Sequence, residues 1–379
     1  MAVPAARRHL PYGRQWIDDE DIAAVVDVLR SDWLTTGPHV GEFESALASE
    51  TGAAEAVAVS SGTAALHLAM AALGIGPGDE VIVPPLTFAA SANCVVYCGG
   101  TPVFADVDPS TLLVDPDAVS RLVTERTRAI VAVDYAGQAC DYDALRRIAD
   151  EHSLALVADA CHSLGGSAAG RPVGTLADLS CFSLHPVKHI TTGEGGAITT
   201  GDPALARKLR MLRNHGIATD HRERSESGAW FYEMTELGFN YRITDFQCAL
   251  GTSQLRKLSA WVERRRQLAH AYDEAFAADP RISPVAVRDG VSHAYHLYVV
   301  EVDDRDRVFG ELRAAGIGAN VHYVPVHLHP YYRERFGTGP GLCPVAEAAY
   351  GRILSLPLFP QMEADDVEHV VDVLRAAVA

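Results

Sequence analysis

A lysine stands out in the stretch Cys181-Phe-Ser-Leu-His-Pro-Val-Lys188-His-Ile-Thr-Thr-Gly193-Glu-Gly195-Gly196, which runs from an apolar, strand-like segment into a glycine-rich turn. The whole chain has three lysines against 29 arginines. Lys208 and Lys257 fall in segments that read as exposed faces of amphipathic helices. Lys188 alone stands among apolar and thin residues. Such a setting desolvates an amine, lowers its pKa and makes it a nucleophile toward a carbonyl. The alternative is a solvated loop lysine, and this segment by itself leaves both open.

Other stretches carry matching chemistry. In Ala56-Val-Ala-Val-Ser-Ser61-Gly62-Thr63-Ala-Ala-Leu66 a strand passes through Ser61, Gly62 and Thr63 directly into a helix. Free N–H groups at a helix start, hydroxyls and a thin backbone form a phosphate cradle, although an ordinary capped turn has the same pattern. Asp159 closes the apolar run Leu156-Val-Ala-Asp159, where a carboxylate is costly unless a cation or several donors meet it. Such an acid suits a pyridinium N–H; capping the next helix is the plainer role. Phe88 could stack on a planar ring or simply fill core. Ser183, five residues before Lys188, could offer a hydroxyl to a phosphate. The run His322-Tyr-Val-Pro-Val-His327-Leu-His329 invites a metal reading, but its spacing is not that of a helical ligand pair and no carboxylate or thiol accompanies it. No metal is expected. A cradle, a stacking aromatic, a strand-end acid and, 29 residues on, a desolvated lysine form the set that pyridoxal 5′-phosphate requires, in the order of an aspartate-aminotransferase-like large domain.

Those residues need a scaffold. Apolar runs at Ala56–Val59, Glu80–Val83, Thr101–Asp106, Ala129–Asp134, Ala155–Asp159, Leu179–Ser183 and Gly196–Thr200 alternate with helix-like segments at 63–73, 87–97, 116–123, 141–152 and 203–213. That alternation predicts an α/β fold with a mostly parallel sheet covered on both faces, and ligands of such sheets gather at the strands' carboxyl ends. Before it, Asp18 or Asp19 caps a helix with Ile22, Val25, Val26 and Leu29 as its apolar stripe. Residues 218–240 read as a long polar excursion, followed by one long helical stretch from Thr244 to Ala278. Strands at His296–Val302 and Ala319–Val324, with helices at Arg305–Ala315, Ala346–Ile353 and Glu363–Ala377, predict a smaller α+β domain. The expected division is 1–250 for a large cofactor domain with an N-terminal arm and 251–379 for the small one.

At 379 residues, 48% hydrophobic and 21% charged, the composition is that of a globular protein. A net charge of −17 argues against a nucleic-acid-holding role. Seven cysteines without CxxC pairing read as free thiols in a reducing compartment. With no apolar leader and no membrane-length run, the expected location is the cytoplasm, with no membrane partner.

Five passages together resemble the DegT/DnrJ/EryC1/StrS sugar aminotransferases: Ser60-Ser-Gly-Thr-Ala-Ala-Leu66, Asp159-Ala-Cys-His162, Ser183-Leu-His-Pro-Val-Lys188, Thr192-Gly-Glu-Gly-Gly196 and Gly238-Phe-Asn-Tyr-Arg242. Within that family the wording of Tyr12-Gly-Arg-Gln15, Leu34-Thr-Thr-Gly-Pro38, Val133-Asp-Tyr-Ala-Gly137 and His322-Tyr-Val-Pro-Val-His-Leu328 is most similar to the UDP-4-amino-4,6-dideoxy-N-acetyl-β-L-altrosamine transaminases. The resemblance implies a fold type I enzyme whose pyridoxal 5′-phosphate forms a Schiff base with Lys188, the residue that also shuttles the proton. It places Asp159 at the pyridine nitrogen and Phe88 on the ring. Ser61, Gly62, Thr63 and Ser183 fall at the phosphate, as does Asn240 of the neighbouring subunit of a homodimer. His162 stands where many members have Gln. Tyr12, the run Asp32, Trp33, Leu34 and Thr35, and the run His322, Tyr323, Val324 and Pro325 would line the sugar pocket. The implied reaction is ping-pong: L-glutamate gives its amine to the cofactor, and a nucleotide-linked 4-keto-6-deoxy sugar receives it. Three other activities compete: amination at C3 or of dTDP sugars, a dehydratase of the kind that has His in place of the lysine, and a non-catalytic relative that has lost the site.

Overall fold

The computed structural model describes residues 9–218, 228 and 230–379. Part of the excursion expected at 218–240, namely 219–227 and 229, lies outside the described residues, as do residues 1–8 of the N-terminal arm.

Thirteen strands occur among the described residues. β1 (Glu55–Val59), β2 (Glu80–Val83), β3 (Thr101–Phe104), β4 (Thr127–Val133) and β5 (Ala155–Asp159) come first, then the short pair β6 (Ser167–Ala168) and β7 (Arg171–Pro172). β8 (Leu179–Ser183) and β9 (Gly196–Thr200) complete the large sheet, whose order is β1-β9-β8-β5-β4-β2-β3. β9 runs antiparallel to both neighbours, and the other strands are parallel. β2 and β9 are buried along their whole length, as a sheet covered on both faces requires. The α/β class and mostly parallel sheet expected from the sequence are therefore present. Because β1, β5 and β8 run together, their carboxyl ends bring Ser60, Asp159 and Ser183 to one edge. Gly196 opens β9 between Val59 and Ser183.

The second half departs from expectation in several places. The stretch 244–278 is two helices, Asp245–Leu255 and Leu258–Phe276. Lys257 sits at the break and is not on an exposed face: its Nζ lies 2.5 Å from Asp18 Oδ2 and 2.9 Å from Asp21 Oδ1. Asp21 is fully buried and also accepts from Ser253 Oγ and Gln254 Nε2, both at 2.6 Å. The helix Asp19–Leu29, capped by an Asp18/Asp21 box, thus turns an acid inward. Ile22 and Leu29 of its expected apolar stripe are 53% and 56% exposed.

β10 (Ile282–Pro284), β12 (Tyr298–Val302) and β13 (Ile353–Leu356) form a small antiparallel sheet, while β11 (Val291–Ser292) joins β6 and β7. The expected strand at Ala319–Val324 does not form. Asn320 alone bridges to Ser355, because the side chains of His322 and Tyr323 bond to Ser355 and His162 instead of lying along a ladder. The helix expected to reach Ile353 spans Pro344–Tyr350, which frees Ile353 to open β13. One hydrophobic cluster surrounds the large sheet and also draws in Leu258, Trp261 and Val326; a second surrounds the small sheet with Leu268, Tyr272, Leu312 and Leu374. All seven cysteines are free thiols and five are buried. Among the described residues no helix is long and apolar enough to cross a membrane.

Candidate active site

Lys188 leaves β8 on a tight turn, its backbone N–H donating to His185 O at 2.9 Å. Its side chain is partly buried, and Nζ lies 3.5 Å from His296 Nε2. Burial holds the amine below the ordinary lysine pKa, with Cys161 and Asp159 pulling the other way. Asp159 is 6% exposed at the end of β5. Its Oδ2 accepts from Ser91 Oγ at 2.5 Å and its Oδ1 from the Cys161 N–H at 3.2 Å. These donors compensate for burying the carboxylate.

Ser61 caps the helix Gly62–Ala72, accepting from Ala64 N–H at 3.0 Å, so the cradle sits at a true helix start, with Thr63 in its first turn. The backbone there must stay thin. A Cβ on Gly62 would lie 2.8 Å from Ser183 Cβ, and one on Gly196 2.4 Å from Ser61 O. Ser183 therefore faces the cradle. Phe88 is 60% exposed, its ring 6.1 Å from that of Tyr323.

A hydrogen bond of 3.0 Å joins Tyr323 Oη to His162 Nε2. His162 Nδ1 is buried with no protein partner, and its ring centroid is 4.3 Å from that of His296. Burial, then the nearby Lys188, holds both imidazoles well below the usual histidine pKa, so both are neutral near pH 7. His322 is likewise pushed down to about 3, first by burial and then by Lys188. Its ring spans Ser355 Oγ at 2.8 Å and Asn320 Nδ2 at 3.2 Å, and lies 5.2 Å from the Tyr12 ring. Val324 is 38% exposed, whereas Pro325 is buried.

Not every expected residue joins this group within one chain. Asp32, Trp33, Leu34 and Thr35 lie on the surface beside the start of the helix Asp245–Leu255, with Leu34 O accepting from Asp245 N–H at 3.0 Å. Asn240 is exposed and its backbone pairs with Asn214. Among the described residues no hydrogen bond or ring contact joins these five to the Lys188 group. Two members of the group were not singled out from sequence, Ser91 and His296. A histidine within the apolar approach to β12 was a readable signal for His296; an alanine-rich helix start gave none for Ser91.

His189, the neighbour on which a dehydratase reading would turn, is buried and donates from Nε2 to Ala294 O at 3.0 Å. Among the described residues no group of three or more His, Cys, Asp or Glu is placed to hold a metal ion. The residues present do fit pyridoxal 5′-phosphate. A thin helix start flanked by three hydroxyl residues suits its phosphate, and a donor-braced buried carboxylate suits its ring nitrogen. A lysine of lowered pKa beside both suits its carbonyl carbon.

Comparison with known proteins agrees. The model of the DegT/DnrJ/EryC1/StrS aminotransferase family matches residues 15–375. Spore coat polysaccharide biosynthesis protein SpsC of Bacillus subtilis is 43% identical over 97% of this chain and 97% of its own. The putative sugar aminotransferase Spr1654 of Streptococcus pneumoniae, solved in its PMP form, superposes with a TM-score of 0.93 at 32% identity over 97% of this chain and 99% of that one. The same protein solved in its PLP form gives a TM-score of 0.92, again at 32% identity, over 98% and 99%. Helicobacter pylori PseC, an aminotransferase involved in the biosynthesis of pseudoaminic acid, gives 0.91 at 31% identity over 98% and 99%. The chain belongs to the DegT/DnrJ/EryC1/StrS aminotransferase family and is a sugar aminotransferase whose cofactor is pyridoxal 5′-phosphate.

Proposed function

We propose that this enzyme moves the amino group of L-glutamate to C4 of a UDP-linked 4-keto-6-deoxy sugar, with Lys188 as the residue that holds the cofactor and carries the proton. The observation that carries this reading is the Lys188 amine, kept below its ordinary pKa at the carboxyl edge of the sheet beside a braced Asp159. Bound there, the cofactor supplies the electron sink and the temporary seat for the amino group. Everything else falls to the chain. Asp159 holds the proton on the ring nitrogen, with Ser91 and the Cys161 N–H fixing its two oxygens. Ser61, Gly62, Thr63 and Ser183 anchor the phosphate, and Phe88 covers one ring face. Lys188 Nζ would take the proton from the donor carbon on one side of the transferred nitrogen and deliver it to the carbon on the other side, a task that a lysine held below its ordinary pKa suits. Tyr12, whose ring lies 5.2 Å from that of His322, and the segment 322–325, whose Tyr323 bonds to His162, are assigned to the sugar.

The likeness to PseC, an aminotransferase involved in the biosynthesis of pseudoaminic acid, and the resemblance of the passages at Tyr12, Leu34, Val133 and His322 to UDP-4-amino-4,6-dideoxy-N-acetyl-β-L-altrosamine transaminases support a UDP-4-keto sugar as acceptor. The test is a panel of UDP- and dTDP-linked keto sugars offered with L-glutamate, the aminated carbon being read by NMR. The expected product carries the amine at C4 of the UDP sugar. Preference for dTDP sugars or for C3 would overturn the acceptor assignment and leave amino transfer standing. A dehydrated product without nitrogen would overturn both. The buried, carbonyl-bound His189 weighs against that last outcome.

The active unit in this reading is a homodimer in the cytoplasm. Ile22, Leu29, Trp33 and Leu34, with Trp230, Phe231, Met234 and Leu237, are large apolar side chains left exposed on one chain. Pairing would cover such a surface and let a second copy bring Asn240 to the phosphate. Sedimentation at micromolar concentration should give twice the 40.7 kDa chain mass, and a monomer would contradict the shared site. The division at residue 250, with the cofactor in the first part and a smaller unit docked on it, belongs to the same reading. The second hydrophobic cluster, which apart from Leu10 runs from Leu268 to Ala377, supports the smaller unit, while the first cluster also takes residues from Leu255 to Ile353.

A further inference from the structure

We propose that His296 is the positioning residue that receives the Lys188 amine whenever that amine is not covalently engaged, accepting one of its N–H groups at Nε2. This rests on the reading of Lys188 as proton carrier. Such a lysine is an ammonium in one step and an amine in the next, and a desolvated pocket penalises the ammonium. Asp159, the carboxylate whose charge acts on the amine, already accepts from Ser91 and the Cys161 N–H. His296 Nε2 lies 3.5 Å from Nζ, within one small side-chain adjustment of a good hydrogen bond.

His296 is held in place from both sides. Ahead of it, Ala294 N–H donates to Gly137 O at 2.9 Å, and just after it Leu297 N–H donates to Ala136 O at 3.1 Å. Gly137 has φ +107, and a Cβ there would stand 2.9 Å from His296 N and 2.6 Å from His162 O. On the other side, the buried Arg265 donates from Nη1 to the carbonyls of Tyr295 (3.2 Å), His296 (3.5 Å) and Leu358 (2.8 Å). With Nε2 facing the amine as acceptor, the neutral His296 ring carries its proton on Nδ1, which is buried without a protein partner among the described residues.

The titratable groups around Nζ fix the sign. Asp159 and Cys161, from the end of β5, favour the ammonium. His162, His189 and His322 are held neutral by burial and add no acceptor at hydrogen-bond distance among the described contacts. A neutral His296 accepting from the ammonium therefore offsets part of the desolvation. Without it the lysine would lose its proton at lower pH.

His296→Phe keeps an aromatic ring against His162 and removes the acceptor; His296→Gln restores an acceptor. The readout is the pH dependence of amine acylation in the full-length, cofactor-free chain, followed peptide by peptide. The chain has only three lysines, so Lys208 and Lys257 are internal references. His296→Phe should move the Lys188 midpoint down by about one pH unit, the scale of a hydrogen bond to a charged group, and His296→Gln should move it back. In the loaded enzyme the limb of the kcat profile that needs the ammonium should shift in the same direction. A Phe variant that titrates like the parent, or a midpoint that rises, overturns the proposal. If that variant does not fold, histidine nitrogen NMR of the parent against Lys188→Ala decides. The His296 Nε2 signal should change, and an unchanged one refutes the contact. Labelling and NMR do not depend on turnover, so a failed contact is distinguishable from a failed role for Lys188.

Discussion

Lys188→Ala is expected to lose amino transfer by at least about 10⁴-fold, the combined scale of removing a covalent anchor and a general acid–base. No other amine can stand in. Lys257 is tied to Asp18 and Asp21 under the N-terminal helix, and Lys208 lies on the helix Pro203–Arg213, away from the carboxyl edge of the sheet. The loss should appear in both half-reactions: glutamate should no longer convert the bound cofactor, and the keto sugar should no longer recover it. Borohydride treatment of the parent should leave cofactor mass on the Lys188 peptide alone, and the variant should show none. Binding without the covalent bond should persist, because Ser61, Gly62, Thr63 and Ser183 are untouched. A variant that retains even a hundredth of the parent rate would refute the role assigned to Lys188.

That lysine was legible because composition and local sequence agreed: one of three lysines, after an apolar strand and before glycines. The strands were legible for a related reason. A sheet covered on both faces needs short, largely apolar runs, and β2, β5, β8 and β9 have the bounds those runs predict. What sequence hid lies in contacts between distant residues. Lys257 has the local pattern of an exposed helix position, but its acids lie 239 and 236 residues away. Ser91 braces Asp159 across 68 residues, and nothing near Ser91 marks it. His322 and Tyr323 sit in a run with strand-like composition whose polar side chains instead tie it to Ser355 and His162. Ile22 and Leu29 form a real apolar stripe, but the helix buries Asp21, because Ser253, Gln254 and Lys257 together make the acid the better inward face. Periodicity finds amphipathic faces. It does not say which face a distant partner will take.

Asp159→Asn is the second large effect and separates a working site from a preserved but silent one. The substitution keeps the side chain's shape and leaves Ser91 and the Cys161 N–H beside it, so the fold at the end of β5 should survive. What it removes is the negative charge that holds a proton on the ring nitrogen in a buried place. Electrostatic preorganisation of this kind is worth about 10²–10³-fold in rate. The fall should appear in kcat, with KM for the keto sugar nearly unchanged, because Tyr12 and the 322–325 segment are not altered. Ser91→Ala should follow the same pattern with a smaller loss, since it leaves the charge and removes one hydrogen bond that orients it. If Asp159→Asn instead raised KM and left kcat alone, the carboxylate would be acting on the sugar. If neither parameter moved, the ring nitrogen would lie elsewhere. The pairing of a large kcat effect at Asp159 with a weaker one at Ser91 is what a braced, ring-facing carboxylate demands, and a merely structural strand end would show both as lost stability with no change in kcat per folded molecule.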